Sequence, residues 1–128
     1  MSEIPEGLYY TAEHEWVKVE NDGSVTVGIS DHAQNALTDI VYVELPEDDE
    51  QFESHEEFTI VESVKSASPV FLPFSGTVLS INLNLEDTPE LINKSPYVEG
   101  WIAKFKIDNL DELNSLMSAS EYKTHLNE

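Results

Sequence analysis

Three sets of residues in this chain have the types from which reactive sites are built. Ser63 and Lys65 stand two apart in Glu62-Ser63-Val64-Lys65-Ser66-Ala67-Ser68, a pairing that a serine–lysine nucleophilic dyad could use. No glycine-rich stretch accompanies them to make an oxyanion hole, so hydrolase chemistry is not expected. Four histidines, His14, His32, His55 and His125, offer imidazoles for a metal. None lies at helical ligand spacing from another, and cysteine is absent, which rules out thiolate sites and disulfides. Carboxylates occur throughout; Asp48-Asp49 sits in an acidic run and reads as a solvated loop rather than an acid/base pair. Lys65 is left. From the residues alone, an exposed lysine between strands is a solubilising charge or an edge guard.

Lys65 has to be judged by the elements that would hold it. Upstream lies the β-rich run Phe58-Thr59-Ile60-Val61. Downstream come Val70-Phe71-Leu72, then Pro73-Phe74-Ser75-Gly76 and the strand-like Thr77-Val78-Leu79-Ser80-Ile81. A hairpin over residues 58–72 would put the lysine where one strand gives way to the next, its four-carbon stem projecting from the sheet. Propensity alone does not place the turn at Val64-Lys65, because tight hairpins prefer glycine or asparagine and a β-branched valine suits them badly.

Glu15-Trp16-Val17-Lys18-Val19-Glu20 alternates as a half-buried strand, with Trp16 to one side and Val17 and Val19 to the other. Asn21-Asp22-Gly23 supplies turn chemistry, and Val25, Val27 and Ile29 continue the alternation, which predicts a first hairpin. Ser30 or Asp31 can cap a short helix with Ala33, Ala36 and Leu37 on one face. Ile40-Val41-Tyr42-Val43 reads as a strand closed by Pro46, and Thr88-Pro89-Glu90 as a helix start stopped by Pro96. The last strand is predicted over Trp101–Ile107. Two short helices within 109–126 follow, where Asn109 with Glu112 and Ser118 with Glu121 resemble capping boxes. Leu110, Leu113 and Met117 form one apolar face there, Tyr122 and Leu126 the other. The predicted class is mainly β, a sandwich or flattened barrel of short strands with helical additions. Length makes it one domain over 1–128.

Composition narrows the partners. The chain has 26 acidic against 6 basic residues, a net charge of −20, and every basic residue is a lysine. Nucleic acid requires the opposite field, and anionic membrane surfaces repel such a chain. No apolar run approaches the roughly 20 residues of a membrane span, and the first residues have neither the basic nor the hydrophobic region of a secretory signal. The acidic excess keeps the protein in solution and can also steer encounters with basic partner faces.

The motifs together resemble the glycine cleavage system H protein family. Val61-Glu62-Ser63-Val64-Lys65-Ser66-Ala67-Ser68 with Ser75-Gly76 is similar to that family's lipoyl-attachment hairpin, which has a glutamate three residues before the lysine and a glycine eleven after it, here Glu62 and Gly76. Tyr10-Thr11-Ala12-Glu13-His14-Glu15-Trp16-Val17 is similar to the family's opening. Val27-Gly28-Ile29-Ser30-Asp31-His32-Ala33-Gln34 resembles its first helix entry, and Val43-Glu44-Leu45-Pro46 the exit of its third strand. Leu91-Ile92-Asn93-Lys94-Ser95-Pro96-Tyr97 before Gly100-Trp101 completes the order, so the resemblance covers essentially the whole chain.

The resemblance implies a lipoyl/biotinyl-type fold and lipoic acid in amide linkage on Lys65, with Glu62 and Gly76 in support. It implies a shuttle without catalytic residues. Such a shuttle takes an aminomethyl group from a pyridoxal-phosphate glycine decarboxylase to a folate-dependent aminomethyltransferase, and its reduced dithiol to dihydrolipoamide dehydrogenase. A lipoyl-attaching enzyme would load it. The location implied is cytoplasmic in a bacterium and the mitochondrial matrix in a eukaryote. A relay donating lipoyl groups to other complexes is the alternative; a biotin carrier is disfavoured because Val64 and Ser66 stand where methionines flank the biotinyl lysine. In the family an N-terminal carboxylate lies near the docked arm, and the matching position is Glu15. Pro69 replaces an aspartate usual four residues after the lysine, and Asp49 and His55 replace glycines, which suggests a changed loop conformation before the hairpin.

Overall fold

Gly23 turns the chain into its first hairpin. β1 (Tyr9–Tyr10) and β2 (Glu15–Val19) precede it and β3 (Val25–Ile29) follows. Gly23 takes a φ of 87°, where a side chain would be strained, and the Asp22 carboxylate accepts from the Ser24 N–H and hydroxyl. The computed structural model describes residues 2–127, so Met1 and Glu128, the ends of the expected 1–128 domain, lie outside the described residues. Ser30 caps α1 (Asp31–Leu37) through its hydroxyl. Ala33 and Leu37 of the predicted face pack against the core, whereas Ala36 is exposed and Gln34 is buried instead. The glutamine tolerates burial because Asp31 and Asn93 satisfy its amide.

The chain continues through β4 (Ile40–Glu44), β5 (Gln51–Phe52), β6 (Glu57–Ser63), β7 (Ala67–Phe71) and β8 (Gly76–Ile81), then α2 (Asn84–Asp87), α3 (Leu91–Lys94) and β9 (Ala103–Ile107). Thr88 closes α2 instead of capping α3, its N–H donating to the Asn84 carbonyl. β9 starts two residues later than predicted, although the Ile102 N–H still reaches the Val27 carbonyl at 2.9 Å. Two antiparallel sheets result, of order β1-β2-β3-β9-β8-β5 and β4-β6-β7. Both are open. The expected sandwich is present, without closure into a barrel. Val17, Val27, Phe105 and Val78 from one sheet share a single core with Val43, Val61 and Val70 from the other. Pro69 is accommodated because β7 is an edge strand, where a missing N–H need not break the ladder.

A second cluster lies on the other side of β2. Tyr10, Trp16 and Tyr122 are fully or nearly fully buried there, under α4 (Ala119–His125). The Trp16 indole lies across from Gly28, whose missing Cβ would sit 2.7 Å from the ring. Tyr10 and Met117 exchange backbone hydrogen bonds of 2.8 Å in both directions. Ser118 and Glu121 form the predicted capping box. Residues Leu110–Ser115 wind instead as a 3-10 helix. Glu112 there turns its carboxylate to the Ser75 N–H at 3.1 Å rather than back to Asn109. The tighter winding leaves Leu110 exposed while Leu113 is buried and Leu116 packs on the core.

Candidate functional site

The β6–β7 hairpin closes on a two-residue tip, Val64-Lys65. The Ser63 N–H donates to the Ser66 carbonyl at 2.8 Å. The Ser63 hydroxyl accepts from the Lys65 N–H at 3.1 Å and the Ser66 N–H at 3.2 Å. It also lies 3.3 Å from the Ser66 carbonyl, to which it donates. The Val64 N–H donates to the Asp39 carbonyl at 3.0 Å. Neither Val64 nor Lys65 has a positive φ, so this is not a glycine-demanding turn, and a β-branched residue fits. The Lys65 side chain is exposed, and its Nζ has no hydrogen bond or ion pair among the described residues. The Ser63 hydroxyl serves backbone amides, so the pair is no nucleophilic dyad.

At the other end of β7, Phe71 meets Glu15. Glu15 is only 4% exposed, not an outward residue of the first strand. Its carboxyl accepts from the Thr11 hydroxyl at 2.5 Å, and the Phe71 backbone N–H lies near enough to favour the charged form. Its own N–H donates to the Thr11 hydroxyl oxygen at 3.0 Å. No cation pairs with it among the described residues. Burial pushes the carboxyl up to about 7; the Thr11 hydrogen bond opposes this, Glu13 adds to it and the Phe71 N–H opposes it. Glu15 lines a groove of about 350 Å³ with Thr11, Phe71, Pro73, Met117 and His125.

Three of the four histidines, distant in sequence, come together. The His14 ring lies 4.6 Å from that of His32 and 6.1 Å from that of His125. His14 Nδ1 is 2.8 Å from the Tyr122 hydroxyl, which is also 2.8 Å from the Ser30 hydroxyl. Burial, then the two neighbouring imidazoles, hold His14 below the usual histidine range. Among the described residues no group of three ligating side chains is arranged to hold a metal. His55 stays apart, at the rim of the Glu15 groove. Sequence spacing could not show this cluster, because its members sit on a loop, on α1 and on α4.

Glu62 is half-buried on the outward side of the hairpin, in register with Tyr42 and Ala67. Gly76 is elsewhere, at the start of β8 in the other sheet. A Cβ there would come within 2.7 Å of the Lys106 carbonyl and 3.3 Å of the Phe74 ring.

The family model described as Glycine cleavage H-protein matches residues 8–128. The chain belongs to this family. Among its relatives, the glycine cleavage system H protein of Psychrobacter sp. (strain PRwf-1) is 54% identical over 126 residues, which are 98% of this chain and 100% of that protein. That of Chromohalobacter salexigens is 51% identical over 122 residues, covering 95% and 93%. The crystal structure of a glycine cleavage system H protein from Mycobacterium marinum superposes with a TM-score of 0.90 at 35% identity, covering 98% of this chain and 100% of that one.

Within the H-protein family, the departures in this chain have physical consequences. Asp49 and His55, at positions where the resemblance led glycines to be expected, adopt φ of 67° and 71°. Both take the left-handed backbone that glycine favours, and aspartate and histidine are among the side chains that enter it most readily. Pro69 is exposed on the outward side of β7, between the tip and Glu15. Of the two hydroxyls that organise the ends of this strand, Ser63 was singled out only as half of a nucleophilic pair, and Thr11 by no motif or spacing of its own. Only the general tendency of serine and threonine to bond nearby backbone points to them.

Proposed function

We propose that this chain is the lipoyl carrier of a glycine cleavage system, with lipoic acid in amide linkage on Lys65 and no catalytic residue of its own. The observation that carries the reading is an exposed, partner-free lysine on a hairpin tip fixed by its own backbone, in a chain of the H-protein family. An acylated lysine needs a nitrogen free of competing bonds and open space for a long arm, and Lys65 has both. Bound there, lipoate would supply a disulfide that opens to take up a one-carbon amine and closes again on oxidation. Amide formation removes the Lys65 charge and raises the effective concentration of the tethered group at each docked partner. A cysteine-free chain adds no thiol of its own to that exchange.

The outward side of β7 runs about 13 Å from Ala67 to Phe71 at the usual strand rise, leading from the tip to the Glu15 groove. Glu15 is the residue we assign to the carried amine. A buried carboxyl without a cation gives up its proton when an ammonium arrives beside it. Glu62, close to the tip, is assigned to recognition by the lipoyl-attaching enzyme, and Gly76 to the close packing of β8 on β9 in the facing sheet. The partners follow from the role: the glycine decarboxylase, the aminomethyltransferase, dihydrolipoamide dehydrogenase and the attaching enzyme. Intact mass after co-expression with a lipoyl-attaching enzyme should rise by one lipoyl group, and peptide mapping should find it on Lys65. Lipoate on Lys18 or Lys94 would sink the assignment.

A further inference from the structure

The two-residue tip is held by a side chain where hairpins normally use glycine. In the common tight turns, positive φ matches the twist of the turn to that of the flanking strands. Here φ stays negative at Val64 and Lys65, and a buried hydroxyl takes over. The Ser63 oxygen accepts from two successive amides, those of Lys65 and Ser66, and donates to the Ser66 carbonyl. A second brace comes from outside the hairpin, where the Asp39 carbonyl accepts from the Val64 N–H. Asp39 is itself fixed on both sides. Asn93 accepts from the Ile40 N–H at 2.9 Å and donates to the Thr38 carbonyl at 2.8 Å. Every backbone amide from Ser63 to Ser66 thus has a defined acceptor, and two of the four use one hydroxyl.

We infer that Ser63 is the positioning residue for acylation of Lys65: its hydroxyl, by holding the Lys65 and Ser66 amides, keeps the lysine in the one tip conformation that the attaching enzyme accepts. The inference rests on the carrier reading above and names what makes Lys65 the acceptor among six lysines. In the reaction, neutral Nζ attacks the carbonyl carbon of an acyl adenylate. A C–N bond forms, the C–O bond to the nucleotide phosphate breaks, and the amine proton passes to solvent. Ser63 touches none of these atoms. Removing its hydroxyl frees the Lys65 and Ser66 amides to water and lets the tip sample conformations in which Nζ points elsewhere. The attaching enzyme then finds only a fraction of molecules competent, and apparent affinity falls by that fraction while the chemistry does not change.

The test uses the full chain, a lipoyl-attaching enzyme and lipoyl adenylate, with wild type, Ser63→Ala and Ser63→Thr. We expect Ser63→Ala to raise KM for the carrier about tenfold at unchanged kcat, and Ser63→Thr, which keeps the hydroxyl, to return KM to within about threefold of wild type. Amide hydrogen exchange, read without any enzyme, should quicken about tenfold at Lys65 and Ser66 in Ser63→Ala and stay the same at Val61 and Val70. If exchange quickens along all of β6 and β7, Ser63 is a folding residue and the inference fails. It fails equally if wild type is acylated at Lys65 and Ser63→Ala matches it in KM and in exchange. If wild type is not acylated at Lys65 at all, the carrier reading is what falls, and the positioning role falls with it.

Discussion

β7 connects two ionisable groups that the fold treats in opposite ways. At one end Lys65 is held out in water by a turn whose own bonds are complete. At the other, Glu15 is withdrawn from water and given a hydroxyl donor but, among the described residues, no cation. Lys65 costs the fold nothing, because an exposed ammonium keeps its hydration. Glu15 costs stability whenever it is ionised, since a buried carboxylate without a counter-ion is poorly solvated. On the proposed assignment of Lys65 and Glu15, the difference teaches where a carrier can keep its working groups. A group to be modified by an enzyme must be accessible and fixed only through its backbone, whereas a group that meets a tethered cargo can be held buried until the cargo arrives.

The largest test of this contrast replaces the exposed end. Lys65→Arg keeps a positive charge at the tip but offers a guanidinium that is not acylated at neutral pH. Mass spectrometry should show complete loss of lipoylation with no change in Tm. Residual lipoylation elsewhere on the chain would mean that the tip does not define the acceptor.

The buried end is tested by pH. The unfolded Glu15 carboxyl ionises near 4.5 and the folded one near 7. Between those values the unfolded chain has lost a proton that the folded chain keeps, so this group's contribution to stability falls as pH rises. The penalty is absent below 4.5, complete above 7 and about 3 kcal/mol in size at about 1.4 kcal/mol per pH unit. Glu15→Gln removes the ionisation. Denaturant unfolding should therefore show the variant gaining on wild type by about 3 kcal/mol between pH 4 and pH 8. The subtraction cancels His14, whose lowered value works the other way, destabilising both proteins as pH falls below the usual histidine range. A variant that loses ground at pH 8 would show that Glu15 has a counter-charge in solution and would end the contrast.

A smaller effect is expected at Gly76, which separates support of the body from presentation of the tip. Asparagine there forces a Cβ against the Lys106 carbonyl, which should cost about 1–3 kcal/mol of stability, as overpacking does. The acylation rate per folded molecule should stay near wild type. Ligase kinetics that fall further than the melting curve explains would tie Gly76 to Lys65 directly. The smallest effect concerns charge at long range. With 20 net negative charges, association with a basic docking face should slow less than tenfold as salt rises to 0.15 M, where the Debye length is about 8 Å. Stopped-flow rates flat in salt would leave solubility as the whole role of the acidic surface.

How far the sequence announced this structure depended on whether each feature was local. Gly23 and its neighbours specify their turn with residues that are themselves in it, and the hairpin stands where alternation put it. The Lys65 turn gives no such signal, because its organiser is a serine inside the preceding strand and its brace is a carbonyl from residue 39. Lys65 was visible only through its likeness to a family motif. Glu15 looks like any polar strand residue until Phe71 and Met117 are folded over it. The 3-10 winding at 110–115 also escaped, since Asn109 and Glu112 fit a capping box by spacing, while Ser75, distant in sequence, takes the glutamate away.

The reciprocal pair of bonds between Tyr10 and Met117 has a consequence for what the protein does at high concentration. β1 is the outermost strand of the larger sheet, and a bare outer strand invites a neighbouring chain to add itself. Met117 occupies that position from within the same chain, and α4 lies over it with Tyr122 stacked on Tyr10. The C-terminal segment thus works as a built-in plug against polymerisation. Cutting it away would expose an adhesive rim on a protein that has to remain free to move between partners.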